Sequence, residues 1–160
     1  MKYKSFNFIT YLLILLGTTL YAQERRKIEI EYAPFMTFDE SKPDATILTR
    51  DNSKQVHIKH EGIEMWCDEA IYDAKQDFIE AYGKVRINQG DTINMTSKYV
   101  EYSGKTQLAF ASGEVILKDP SSVITTDTLY FDRMKQKAFY EHNGKVVRDT
   151  TGTITSTVGL

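Results

Sequence analysis

The chain has 160 residues, with 20 Lys and Arg against 22 Asp and Glu and a formal net charge of −2. That balance lacks the basic surplus that marks a nucleic-acid binder. Cys67 is the only cysteine, so no intramolecular disulfide staples the fold, and stability must rest on strand pairing and apolar burial.

The first segment predicts export. Lys2 and Lys4 precede a largely apolar run from Phe6 to Leu20, Leu20-Tyr21-Ala22 offers a small residue to a peptidase, and Gln23 to Lys27 turns abruptly polar. This is the order of a secretory signal peptide over residues 1–22, and the run falls short of the ~20 apolar residues that span a bilayer. Leu20 is bulky for a position three places before a cut, so an uncleaved anchor in the inner membrane is the alternative. Cleavage leaves about 138 residues, enough for one domain and short for two. It also takes the net charge to about −4, because the segment carries two Lys and no acid.

Residues 23–55 form a leading segment that matches the rest poorly, although Val56, Ile58 and Ile63 suit a leading strand. Residues 56–160 are a repeat. Ile63 to Arg86, Ile93 to Leu117 and Ile124 to Arg148 superpose, each opening on an isoleucine and reaching an aromatic (Tyr72, Tyr102, Phe131) about nine residues later. Two places before each aromatic stands Ala70, Val100 or Leu129, and each copy closes on Gly-x-Val at Gly83, Gly113 and Gly144, thirty and thirty-one residues apart. A fourth copy opens at Ile154 and the sequence stops inside it, which predicts a longer parent with more layers.

Within a copy the pattern is strand, polar turn, strand. Ile79, Ala81, Val85 and Ile87 alternate onto one face, as do Ala109, Ala111, Val115 and Leu117. Asp68 to Tyr82 alone has the spacing of an amphipathic helix. Its counterparts are rich in Thr, Tyr, Val and Ser, which favour strands, and the shared phase decides for strand. The three glycines mark either a bulge where each layer bends or the start of a turn. Cys67, in phase with Ser97 and Thr126, is expected to be a small buried side chain.

The fold class predicted is all-β, a solenoid-like stack of two-strand repeats of about thirty residues. Each copy is expected to add one strand to each of two facing sheets, about 4.8 Å per layer, with apolar faces forming a trough. The inward set mixes small residues (Ala70, Ala81, Ala109, Ala111) with larger ones (Ile79, Val85, Ile87, Val100, Val115, Leu117, Leu129, Phe131), so an open groove and a filled core both fit the pattern.

Little catalytic chemistry offers itself. His57 and His60 point to opposite faces of a strand, which is poor for joint metal ligation, and both are read as solvated. Ser103-Gly104-Lys105-Thr106 resembles the end of a P-loop without its leading glycine or its strand-to-helix context. Asp68, Asp73, Asp127 and Asp132 are read as turn residues. Arg25-Arg26-Lys27 and Lys84 with Arg86 are read as a solvated face, with contact to lipid phosphates as the alternative. No metal, cofactor or enzymatic activity is expected.

Gly83-Lys84-Val85-Arg86-Ile87 leading to Ile93, Met95, Val100 and Tyr102, and Gly113-Glu114-Val115-Ile116-Leu117 leading to Ile124, Asp127, Leu129 and Phe131, resemble the repeat of the LptA/OstA-like family. The resemblance covers roughly residues 63–160 and implies a twisted β-jellyroll in the periplasm. There it would shield the lipid A acyl chains of lipopolysaccharide between inner and outer membranes. It implies partnership with other Lpt-type jellyrolls by edge-strand augmentation, including head-to-tail self-association, and no catalytic residues. Positional transfer extends to the twelve inward residues named above. The competing reading is a structural cell-envelope solenoid with a filled core and no ligand.

Overall fold

A computed structural model describes residues 26–40, 42–141, 144–148 and 152–156, the last by backbone alone. The segment read as a signal peptide lies outside them. Thirteen antiparallel strands form one sheet: β1 (Glu29–Tyr32), β2 (Phe35–Asp39), β3 (Lys42–Thr49), β4 (Val56–His60), β5 (Ile63–Cys67), β6 (Glu69–Asp73), β7 (Phe78–Gln89), β8 (Ile93–Ser103), β9 (Leu108–Lys118), β10 (Ser122–Asp132), β11 (Lys137–Phe139), β12 (Gly144–Arg148) and β13 (Gly152–Ser156). The stretch with helical spacing, Asp68 to Tyr82, is strand β6 and the start of β7, so the shared phase outweighs local propensity.

The sheet folds along a crease into two leaves. One leaf runs β1-β4-β5-β7-β8-β9-β10-β12-β13, and the other carries β2, β3 and β6 beside β7 and β11 beside β10. Strands β7 to β10 pass through both. Each repeat therefore contributes two layers to both leaves, rather than the one strand per sheet expected from pattern alone. Alternation shows which residues share a face, but not that an eleven-residue strand bends halfway.

The bend has a local cause. The registers of β7 with β8, β8 with β9 and β10 with β9 all slip at the crease. At Gly83-Lys84 and Gly113-Glu114 two successive residues are left-handed, with φ of 70° and 44°, and 78° and 54°. Glycine takes the first position because a Cβ on Gly83 would lie 2.9 Å from the Asp68 carboxylate, and one on Gly113 2.9 Å from the Lys98 Cβ. The bulge reading holds for these two, while Gly144 opens β12 as a separate strand. On the facing strands, the Ser97 and Thr126 hydroxyls donate to the carbonyls of Tyr99 and Thr128, each 3.1 Å away. Cys67 holds the same phase, fully buried.

The turns follow their chemistry. Asp73 accepts from the amides of Lys75 and Gln76, Asp132 from that of Lys135, and Asp119 from those of Ser121 and Ser122. Asp68 and Asp127 correct the sequence reading: both lie on the crease, and Asp68 pairs with Arg50 at 3.3 Å. The β4–β5 hairpin turns on Glu61 and Gly62, both at positive φ, the two-residue turn that matches strand twist. Among the described residues no helix is long and apolar enough to cross a membrane.

One turn carries a testable packing dependence. A Cβ on Gly104 would fall 2.1 Å from the carboxylate of buried Asp77, whose Oδ1 accepts from the Ile28 amide at 3.0 Å. Gly104→Ala should displace that carboxylate and cost about 1–3 kcal/mol by orphaning the amide. Hydrogen exchange at Ile28 reads the loss; undiminished protection there would refute the coupling.

Candidate lipid-binding trough

Between the leaves lies one buried apolar cluster. Cross-strand pairing puts Leu48, Ala70, Ala81, Val100, Ala111 and Leu129 in a row along one leaf. Tyr72, Ile79, Tyr102, Ala109 and Phe131 form a second row nearer that leaf's rim. Ile58, Met65, Ile87, Met95 and Leu117 line the other leaf, and Val85 and Val115 sit at the crease. All twelve residues predicted to face inward lie in these rows. Ten are fully buried, and Ala109 and Phe131 are half-buried.

In this structure the leaves are closed on each other. The small residues of one leaf belong to the same buried cluster as the larger Met65, Ile87, Met95 and Leu117 of the other. Nearer the rim, between Ile63, Met65, Ile93 and Phe131, remains a cleft of about 30 Å³. That holds one or two waters and is far too small for an acyl chain. At the β2 end of the stack, by contrast, Met36 and Phe38 share the inward face through their pairing with Leu48 and Thr46, and Phe38 is 75% exposed.

Two closures join the rims. Residues 26–28 form a strap across the mouth: the Ile28 amide donates to Asp77, the Tyr72 hydroxyl donates to the Ile28 carbonyl at 3.3 Å, and His60 Nε2 donates to the Arg26 carbonyl at 2.9 Å. His60 Nδ1 pairs with the Tyr102 hydroxyl at 2.7 Å, a contact between the leaves. His60 is therefore not solvated; it is 3% exposed, because its strand position faces inward and both ring nitrogens find partners. His57 does lie on the outer face, stacked on Trp66 at 4.7 Å and paired with Glu64 at 2.8 Å.

The second closure is ionic. Glu61 Oε2 accepts from Gln107 Nε2 at 2.7 Å and from Arg133 Nη1 at 3.2 Å, and Arg133 also donates to Gln107 Oε1 at 2.9 Å and to the Glu61 carbonyl. Burial alone would raise the Glu61 pKa. The hydrogen bond from Arg133, the His60 and Arg133 charges and the bond from Gln107 together outweigh it and hold the carboxyl below its ordinary value. Burial pushes the Tyr102 phenol to about 12, against the nearby Arg133 charge. Burial, reinforced by the Asp68 charge, pushes the Cys67 thiol to about 12 as well, so it is inert at neutral pH.

The strap and the ionic closure were not visible in the sequence. Their partners lie up to 72 residues apart, and Glu61, Asp77, Gln107 and Arg133 stand outside the repeat's apolar phase. Met65 and Met95 could have been found, since each follows the opening isoleucine of its copy by two places. Lys84 and Arg86 are exposed on the outer face, Arg86 over the Trp66 ring at 4.5 Å. Ser103 ends β8, and Gly104 to Thr106 belong to the β8–β9 connection, a turn between strands. Among the described residues no three His, Cys, Asp or Glu side chains converge as metal ligands.

The fold is similar to that of a solved structure, LptH from Pseudomonas aeruginosa, described as the LptA-homologous periplasmic component of a lipopolysaccharide transport device. The TM-score is 0.59 at 10% identity, over 72% of this chain and 81% of that one. No curated protein matches the sequence. Residues 25–160 match the family described as OstA-like protein, which takes in the strap, every strand and the crease. The chain belongs to the OstA-like family.

Proposed function

We propose that the chain is a periplasmic module that binds lipopolysaccharide and shields its acyl chains in transit between inner and outer membranes. The observation that carries this reading is the set of apolar rows running unbroken along both leaves, in a chain of the OstA-like family. The ligand path is lined by Ala70, Ile79, Ala81, Val85, Ile87, Val100, Ala109, Ala111, Val115, Leu117, Leu129 and Phe131, with lipid A chains taking the place of leaf-to-leaf contacts when the leaves part. Burying about ten methylenes recovers on the order of 8 kcal/mol, close to the cost of leaving a bilayer, so transfer is near balance and direction comes from an energised partner. No step requires enzymatic chemistry.

Residues 1–22 direct export, and an uncleaved segment would instead hold the module at the inner membrane. Partners dock at the ends of the stack. β2, with Phe35, Met36 and Phe38 more than half exposed, offers its outer edge to a strand of another jellyroll or of a second copy.

The small cleft favours a second reading, a structural envelope module with a filled core. Photoreactive residues replacing Ala109, Ala111 or Val115 in turn, with exposed Lys98 and Glu114 as controls, distinguish the two. Lipopolysaccharide adducts at the inward positions alone are expected. A folded chain that forms none at any inward position would leave the structural reading.

A further inference from the structure

The two closures differ in what opening them would strand. Parting the strap would orphan the Ile28 amide and carbonyl and Nε2 of His60, groups that are buried or partly buried. Parting the ionic closure would not. Glu61 and Arg133 side chains are 30% and 14% exposed and stand on turns at the rim, so water replaces each lost partner as they separate. No strand hydrogen bond joins Glu61 on one rim to Gln107 and Arg133 on the other; the links to Glu61 are made by side chains. Directly beneath lies the cleft lined by Ile63, Met65, Ile93, Ala109 and Phe131, with Arg133 at its edge.

We propose that Glu61, Gln107 and Arg133 form a releasable clasp: it parts to admit an acyl chain laterally between the leaves, whose separation there widens this cleft of about 30 Å³, while the strap keeps the neighbouring rim shut. The ligand class, an acylated amphiphile, rests on the transport reading above; the opening itself does not. Arg133 holds Glu61 twice, through the carboxylate and through the main-chain carbonyl. The clasp should therefore weaken when either charge is removed, and more when Arg133 is replaced, because its bond to the carbonyl is lost as well.

The test places a thiol beneath the clasp by Ala109→Cys in the full chain and follows its reaction with an uncharged maleimide at neutral pH. Native Cys67, buried at the crease, reports unfolding in the same sample. Glu61→Gln and Arg133→Gln are each expected to speed labelling of the introduced thiol about three- to tenfold. The double variant Glu61→Gln with Arg133→Gln should label no faster than about twofold above the faster single variant, since both changes remove one shared interaction, and Cys67 should stay unlabelled throughout. Equal rates in all variants overturn the clasp, and so does Cys67 reacting in step with the introduced thiol, since the whole fold would then be opening. Uptake of a fluorescent acyl probe by the same variants separates the two readings. Uptake with unchanged labelling overturns the clasp alone. Clasp-dependent labelling with no uptake by any variant overturns acyl admission and the lipid reading with it.

Discussion

Gly113→Val is expected to destabilise the folded chain by about 3 kcal/mol, while Gly90→Ala costs about 1 kcal/mol. Both glycines are left-handed, with φ of 78° and 53°, so both substitutions strain the backbone. They differ in surroundings. Gly113 faces the Lys98 Cβ on the adjacent strand at 2.9 Å, an atom that cannot move without its backbone, whereas nothing lies within 4 Å of a Cβ on Gly90. A β-branched side chain is also the worst occupant of positive φ. Urea unfolding of the two variants measures the difference. Equal costs would mean that the crease relaxes around a side chain, and that its geometry is not what glycine maintains.

The second large effect is alkaline. The Cys67 thiol ordinarily titrates at 9.0 but at about 12 when folded. Below pH 9 both folded and unfolded chains keep the proton and no stability depends on it. As pH climbs from 9 towards 12 the unfolded chain loses that proton first, so stability falls by about 1.4 kcal/mol per pH unit and on the order of 4 kcal/mol in all. The Tyr102 phenol, raised from 10.0 to about 12, adds its own loss as pH nears and passes 10, and so do the raised phenols of Tyr72, Tyr82 and Tyr99. Cys67→Ser isolates the thiol, since Ser97 already fills the equivalent place in the next repeat. Denaturant midpoints should decline more steeply between pH 9 and pH 10 in the parent than in the serine variant, where only the raised phenols contribute. Parallel declines would show that the crease is wetter than its burial implies.

Much of this architecture is legible in the sequence. Period-two alternation identified the twelve inward residues because burial of one face leaves no other solution for a strand, and Asp, Gly and Gln at recurring phases marked the turns. The glycines signalled either a bulge or a turn, and their partners Lys84 and Glu114 carry no mark of a left-handed backbone. Alternation gives the face of a side chain but not the distance to the leaf across from it. Whether Ala70, Ala81 and Ala111 leave room therefore depended on the Met and Ile residues opposite. His60 was read by residue type as solvated, when its inward phase, shared with Val56 and Ile58, decided its burial. Residues 29–49 lack the repeat because, among the described residues, β1 and β2 end the stack with one neighbour each, and the repeating interface need not be kept there.

Strands β7 to β10 are each a single covalent ribbon running through both leaves, but the layers before them are built of separate strands, β5 with β6 and β4 with β3. The spine is therefore stiff in the middle and compliant towards the β1–β2 end. In the middle layers the backbone at Gly83-Lys84 and Gly113-Glu114 ties the two leaves together at the crease, so they can part only from the rims. At the β1–β2 end the angle between leaves can adjust one leaf at a time. An end that conforms while the middle stays joined would take up a local bend without passing the distortion down the length of the stack.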